Sequence, residues 1–203
     1  MKRSAKTRFL PGAYVFPGGR VDPDDNCVEL NGGEQDRTRM CCDKAAAYQV
    51  AAIRETEEEC GVKLEVSQIA YWSWWLTPKI EPRRYDTRFF IANVGSEAVA
   101  IHDNVELIES AWWSPVEALR RLRAGEIFMA PPTWITLMEL SAFQSAEDVL
   151  SSAGCRNTPC IEPMFVSNDE GNKILLPSAD GHWSNEPVEG PNSYEIDEHW
   201  RPI

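Results

Sequence analysis

The sequence lacks two features that would tie a protein to a polyanion or a lipid bilayer: an excess of basic residues and a long hydrophobic run. Its 20 lysines and arginines are outnumbered by 32 aspartates and glutamates, which leaves a net charge of -12. A basic field is what draws proteins to nucleic acid or anionic membrane. No apolar stretch approaches the ~20 residues of a membrane span. We therefore expect no nucleic-acid or membrane partner and a soluble, cytoplasmic protein.

Histidine is scarce as well, and the cysteines lack the paired spacing of a zinc site. The three histidines are isolated in the sequence and suggest no ligand set. No apolar segment follows the basic residues near the N-terminus, so nothing predicts export to an oxidising compartment. The six cysteines are therefore expected to be reduced thiols rather than disulfides. They are Cys27, Cys41, Cys42, Cys60, Cys155 and Cys160.

What the chain does have is an acidic face on a predicted helix. Within residues 54–62, Glu55, Glu58 and Glu59 fall in an arc of about 100°, while Glu57 points away. Two carboxylates about 5 Å apart repel by roughly 3 kcal/mol at an effective dielectric of 20. A divalent cation would remove this repulsion and prefers oxygen ligands. The alternative, a solvated acidic surface, is the favoured interpretation of three glutamates taken alone.

The helix that carries this face is predicted to run from about Lys44 to Cys60. Asp43 is a plausible N-cap, and Gly61 is well placed to end the helix in a left-handed conformation. The carboxylate arc then borders the core, whereas an ordinary solvated charge run would lie opposite it. The predicted inward stripe consists of Ala45, Tyr48, Ala52, Ile53, Thr56 and Cys60.

The rest of the chain mixes predicted strands and helices. Helices are predicted from Ser114 to about Gly125, after the prolines at 131–132 and after Ser145, because each start has a capping residue or a proline. The acidic end from Asn185 onward is predicted to be poorly structured. Segments rich in β-branched or aromatic residues predict strands at 64–76, 85–94, 107–113, 161–166 and 173–176.

The glycine turn ending at Gly19 and the run Arg54-Glu55-x-x-Glu58-Glu59-x-Gly61-Val62 together resemble the box of the Nudix hydrolases. The likeness spans roughly residues 9–140. It implies an α+β fold, a Nudix-type α/β/α sandwich around a mixed β-sheet, with a first strand cut short. It also implies a Nudix hydrolase domain at 1–154 with an insertion loop at 26–43 inside the box. Residues 155–203 then form a C-terminal extension, a strand pair followed by the acidic tail.

Three segments narrow the resemblance to the coenzyme A diphosphatase-like subgroup, which carries an insertion inside the box. These segments are 9–19, 82–90 and 131–133. The chain also departs from the family pattern. Asp25 stands where the family usually has glutamate, and 28 residues (26 to 53) rather than seven separate it from Arg54.

The resemblance implies roles for the residues of the acidic face. Glu55 and Glu59 would bind Mg²⁺ or Mn²⁺ directly, and Glu58 would add a ligand or steer the attacking water. Arg54 would orient a glutamate through a charge-assisted hydrogen bond. The general base stays open between a glutamate of the box and a later one, with Glu106 the first late candidate and Glu109 the second.

Substrate contacts are expected from a glycine loop and from arginines. Gly18 and Gly19 allow the backbone to approach a substrate closely. Arg84 is the arginine expected to bind phosphate. The arginines at 83, 84 and 88 form an equally good set of ion-pair partners for Asp86 and other acids, and both interpretations stay open.

The implied activity is metal-dependent hydrolysis of the diphosphate bond in a nucleoside diphosphate linked to another moiety. Coenzyme A or an acyl-CoA is the substrate that the resemblance suggests. NADH, ADP-ribose or another dinucleotide is the nearest enzymatic alternative, and a non-catalytic ligand-binding Nudix domain is the alternative of a different class. The expected partner is a small nucleotide-derived molecule, and a homodimer is left open.

Overall fold

A computed structural model of the chain describes residues 1–27, 45–169, 171–177 and 191–203. Its backbone contacts divide the chain into two units. The first comprises Met1–Tyr71 and Phe90–Gly154, and the second comprises Trp72–Phe89 and Cys155–Ile203. The predicted domain boundary at Gly154 stays a prediction, as does the insertion loop, of which residues 28–43 lie outside the described part of the chain.

The helix that carries the acidic face is α1, Ala45–Cys60. It ends as predicted: Gly61 has a φ of 70°, and its N–H donates to the Glu57 carbonyl at 2.8 Å. The predicted N-cap, Asp43, lies outside the described residues.

The predicted inward stripe of α1 is wrong. Ala47 and Ala51 are buried on one side of the helix, and Gln49 and Cys60 are buried on another. Of the described members of the predicted stripe only Cys60 is buried, and the others are half-buried. A helix covered on two sides has no single apolar stripe, so the periodicity of apolar residues could not locate its packed faces.

The other three α-helices of the described residues belong to the first unit and begin where the sequence predicts. Helix α2 spans Pro115–Arg123, and the Ser114 hydroxyl accepts from the Glu117 N–H at 3.2 Å. Helix α3 spans Pro131–Leu140, and helix α4 spans Ala146–Ala153, where Ser145 accepts from the Asp148 N–H at 3.1 Å. Fully or almost fully buried side chains hold these helices to the core: Leu107, Leu119, Leu122, Trp134 and Ile135.

Two short strands of the first unit pair with each other. Strand β1, Lys2–Arg3, is two residues long and pairs antiparallel with the later strand β4, Leu107–Glu109. Strand β4 is shorter than predicted, since the chain leaves it before reaching the Ser114 cap of α2. The partners across this pair are Lys2 with Glu109 and Arg3 with Leu107.

A three-stranded sheet contains the two longest strands, β2 (Ile69–Leu76) and β3 (Asp86–Ala92), together with β5 (Cys160–Ile161). Strand β2 begins five residues later than predicted. The reason is a 3₁₀ turn over Val66–Gln68, which is closed by reciprocal capping bonds between Glu65 and Gln68.

The second unit contains an antiparallel sheet of β6 (Met164–Asn168), β7 (Gly171–Leu175) and β8 (Ser193–Ile196), in that order. Strand β8 corrects the expectation of a poorly structured tail. Its backbone pairs with β7, and the Ile196 side chain is buried, so pairing and burial overcome an acidic local sequence. Among the described residues no helix is long and apolar enough to cross a membrane.

Candidate active site

The glycine loop lies directly on the acidic face of α1. The Gly18 N–H donates to Glu59 Oε2 at 2.7 Å. At Gly19, a Cβ atom would overlap the carboxylate of Glu55. A side chain at this position would therefore require the Glu55 carboxylate to move from the place it occupies beside the loop. The two halves of the predicted motif thus meet in the folded chain.

Arg54 joins two of the three carboxylates. Its Nη1 donates to Glu55 Oε1 and to Glu58 Oε2, both at 3.0 Å. These charge-assisted hydrogen bonds hold both carboxylates. The role of Arg54 in orienting a glutamate for catalysis stays a prediction. The carboxylates around Arg54, Asp25 foremost, raise the pKa of its guanidinium above the usual range.

Asp25 holds the opposite edge of the Arg54 guanidinium. Its two oxygens accept from Nε and Nη2, each at 3.1 Å, and Oδ2 also accepts from the Asp22 N–H at 2.7 Å. Arg54 Nη2 further donates to the Arg20 carbonyl at 2.9 Å. The hydrogen bonds from Arg54 lower the pKa of the Asp25 carboxyl. Aspartate thus makes the bidentate contact at the position where the family usually has glutamate.

Glu59 is the buried member of the acidic face, with 8% of its surface exposed. Burial is the main cause that raises its pKa, to about 7. The Gly18 N–H and the positive charge of Arg3 lower this pKa, whereas the negative charges of Glu55 and Glu106 raise it further.

The two late base candidates differ in what they contact. Glu106 is exposed, and its backbone is held by Ser4, whose N–H donates to the Glu106 carbonyl at 2.8 Å. Glu109 is engaged by neighbouring side chains: Oε1 accepts from the Tyr14 hydroxyl at 2.7 Å, and Oε2 lies 3.8 Å from Lys2 Nζ. Of the two late candidates, Glu106 is thus the exposed one, whereas the Glu109 carboxylate is held by Tyr14 and Lys2.

Arg84 belongs to the second unit, where it contacts an acid. Its Nη2 lies 2.8 Å from Glu162 Oε1, and its Nε donates to the Thr77 carbonyl at 2.8 Å. Arg88 similarly pairs with Asp86 at 3.0 Å and stacks on the ring of Trp74. These contacts match the ion-pair interpretation of the arginines. A role for Arg84 in binding phosphate stays a prediction.

The carboxylates of α1 supply the type of ligand that a hard divalent cation prefers. In the part of the chain that the structure describes, no three acidic, histidine or cysteine side chains converge as a finished metal site. Arg54 pairs with one oxygen of Glu55 and one of Glu58, which leaves the second oxygen of each carboxylate for another ligand. Glu59 beside them is buried and accepts from the Gly18 N–H, and a bound cation would offset the cost of burying its charge.

Comparison with known proteins gives the family. The acyl-coenzyme A diphosphatase NUDT19 of Homo sapiens is 34% identical to this chain, over 87% of the chain and 70% of its own length. The chain belongs to the Nudix hydrolases. The NUDT19 proteins of Xenopus laevis and Gallus gallus are 24% and 25% identical, and each is also covered over 70% of its length. The family description "NUDT19 Nudix domain" matches residues 65–140.

A solved structure supports the fold of this Nudix hydrolase. The crystal structure of a Nudix hydrolase from Alicyclobacillus acidocaldarius superposes with a TM-score of 0.63 at 25% identity, covering 74% of this chain and 85% of that one. The predicted α+β Nudix fold, the assignment as a hydrolase and the likeness to the coenzyme A diphosphatase subgroup are therefore confirmed. The sequence analysis noted Asp25 from its spacing after Gly19 but did not predict its contact with Arg54.

Proposed function

We propose that this Nudix hydrolase is a metal-dependent diphosphatase that cleaves the diphosphate bond of coenzyme A or an acyl-CoA. The names of its NUDT19 relatives support the choice of substrate. The main structural support for diphosphate hydrolysis is the hydrogen bond from the Gly18 N–H to Glu59. This bond brings the glycine loop onto the carboxylate face of α1.

A diphosphate carries negative charge on both phosphoryl groups, so hydrolysis requires that charge to be neutralised. In this proposal Glu55, Glu58 and Glu59 hold Mg²⁺ or Mn²⁺. When bound, such an ion neutralises phosphate charge and lowers the pKa of water. The carboxylate set offers several oxygens on one helix, as these ions prefer.

The chain's own residues arrange this site. Arg54 fixes the carboxylates of Glu55 and Glu58, and Asp25 fixes Arg54 from its other edge. Glu58 and Glu106 both have exposed carboxylates, so each is able to accept a proton from the attacking water. Of the two, Glu106 is the one whose carboxylate is not held by Arg54 in the hydrogen bonds described above.

A substrate panel tests the proposal. The protein is incubated with Mg²⁺ or Mn²⁺ and with coenzyme A, an acyl-CoA, NADH, ADP-ribose or a dinucleoside polyphosphate, and products are identified by mass. We expect 3′-phosphoadenosine monophosphate and phosphopantetheine, or its acyl form. Faster turnover of NADH or ADP-ribose would refute the coenzyme A assignment. A folded, metal-loaded protein that cleaves none of them would be a binding module.

Three matched variants on one helix test the site itself. Glu58→Gln and Glu59→Gln are each expected to lower turnover by about a hundredfold or more, as for loss of a catalytic acid or base. Glu57→Gln is the control, because Glu57 points away from the other three carboxylates and forms an ion pair with the exposed Lys63, at 3.3 Å. Near-normal rates for both test variants would contradict the site assignment.

A further inference from the structure

The segment that leads into the glycine loop is held on both of its edges. On one edge, the Ala13 carbonyl accepts from the Arg3 N–H, and the Val15 N–H donates to the Met1 carbonyl, both at 2.8 Å. On the other edge, the Tyr14 N–H donates to the Phe128 carbonyl at 2.8 Å. Residues 13–15 thus lie between two neighbouring stretches of backbone.

Tyr14, Lys2 and Glu109 form a ladder across this part of the first unit. Lys2 is paired with Tyr14 on one side and with Glu109 on the other. The Tyr14 side chain reaches past Lys2, and its hydroxyl donates to Glu109 Oε1 at 2.7 Å. Lys2 Nζ lies 3.8 Å from Glu109 Oε2 and 5.6 Å from the centre of the Tyr14 ring.

The Tyr14 ring is also packed against the start of α2. Its centre lies 5.0 Å from that of Trp113, and the Arg121 guanidinium lies 4.8 Å from the Trp113 ring. Arg121 is held in turn by Glu117 at 2.7 Å. Tyr14 is only 7% exposed, so its hydroxyl has a fixed direction and a single described acceptor, the Glu109 carboxylate.

The position of Tyr14 is transmitted to the acidic face by a stiff connection. Between Tyr14 and Gly18 lie only three residues, and one of them is Pro17. Proline fixes its own φ and confines Phe16, the residue before it, to extended backbone. Two of the three intervening residues are thus restricted, which leaves few backbone rotations to absorb a displacement at Tyr14 before it reaches the Gly18 N–H.

We propose that Tyr14 and Glu109 are positioning residues, whose hydrogen bond keeps the Gly18 N–H on the carboxylate of Glu59. Glu109, the second late base candidate, thus serves the reaction by accepting from Tyr14 and takes no proton from water. The link to turnover rests on the proposed function, whereas the link to the Gly18 amide does not.

Four variants separate these roles in steady-state kinetics with Mg²⁺ and coenzyme A. Tyr14→Phe and Glu109→Leu each remove the hydrogen bond and are expected to lower kcat by about tenfold or more, with KM changed less than about twofold. Glu109→Gln keeps an acceptor oxygen and is expected to retain kcat within about twofold. Tyr194→Phe, a hydroxyl deletion in the second unit, is the matched control.

The Gly18 amide resonance of ¹⁵N-labelled protein gives a readout that needs no turnover. We expect it to shift in Tyr14→Phe and Glu109→Leu and to keep its position in Glu109→Gln and Tyr194→Phe. An unmoved resonance in Tyr14→Phe would overturn the proposal. So would a Glu109→Gln variant that loses turnover by about a hundredfold or more with Gly18 unmoved, the result expected of a general base. If the wild type cleaves no substrate, the proposed function fails and the resonance alone decides the positioning role.

Discussion

Asp25→Asn tests whether the bidentate contact with Arg54 ties the two halves of the motif together. Asp25 is 3% exposed, and its carboxylate accepts from Arg54 Nε, Arg54 Nη2 and the Asp22 N–H. Asparagine has nearly the same shape but only one acceptor oxygen. Its NH₂ group would therefore face Arg54 Nε in one orientation, or both Arg54 Nη2 and the Asp22 N–H in the other, donor against donor.

The burial and contacts of Asp25 and Arg54 determine how much stability Asp25→Asn should lose. Removing one partner of a buried ion pair costs about 3–5 kcal/mol. Arg54 is 26% exposed and keeps Glu55 and Glu58, so the loss is smaller than for an isolated buried pair. We expect Asp25→Asn to lower the free energy of unfolding by about 2 kcal/mol, after this discount.

Asp22→Asn is the matched control, because it removes a carboxylate that also faces Arg54. Asp22 is 60% exposed, and its oxygen lies 3.7 Å from Nη2. An exposed pair at this distance contributes about 0.5 kcal/mol or less. Urea unfolding at pH 7, followed by tryptophan fluorescence, measures both variants against the wild type.

The difference in free energy of unfolding between the wild type and Asp25→Asn should also depend on pH, which gives a second check. Arg54 lowers the pKa of Asp25 in the folded state below its ordinary value of 3.8. The stabilisation is therefore complete above pH ~4 and is lost as the pH falls through the lowered pKa. Equal stability of Asp25→Asn and the wild type at pH 7 would refute the reasoning. So would an equal loss of unfolding free energy in Asp25→Asn and Asp22→Asn.

Two glycines and two cysteines provide further tests. Gly19→Ala is expected to weaken Mn²⁺ binding in a calorimetric titration, since its Cβ displaces the Glu55 carboxylate. Gly61→Ala has open space around its Cβ and a φ of 70°, so we expect a loss of about 1–2 kcal/mol in urea unfolding with Mn²⁺ affinity unchanged. Burial raises the pKa of Cys160 to about 11, so iodoacetamide at pH 7.5 should label the exposed Cys155 before Cys160, as read by peptide mass.

Local sequence accounts for the ends of several helices. The caps at Ser114 and Ser145, the start of α3 at Pro131 and the end of α1 at Gly61 all agree with prediction. Each depends on hydrogen bonds or backbone angles within about four residues, so neighbouring residues suffice to predict it. The start of β2 was missed because the turn closed by Glu65 and Gln68 competes locally with an equally plausible strand.

The sequence by itself determined that three carboxylates share one face of α1, because helical periodicity alone places Glu55, Glu58 and Glu59 together. Only the tertiary structure decided that Glu59 is the buried one. Its partner, Gly18, lies 41 residues away in the chain. Likewise, Asp25 meets Arg54 across 29 positions, and Glu109 meets Tyr14 across 95. Burial and charge pairing arise between segments distant in sequence, and no local pattern encodes which of them will meet.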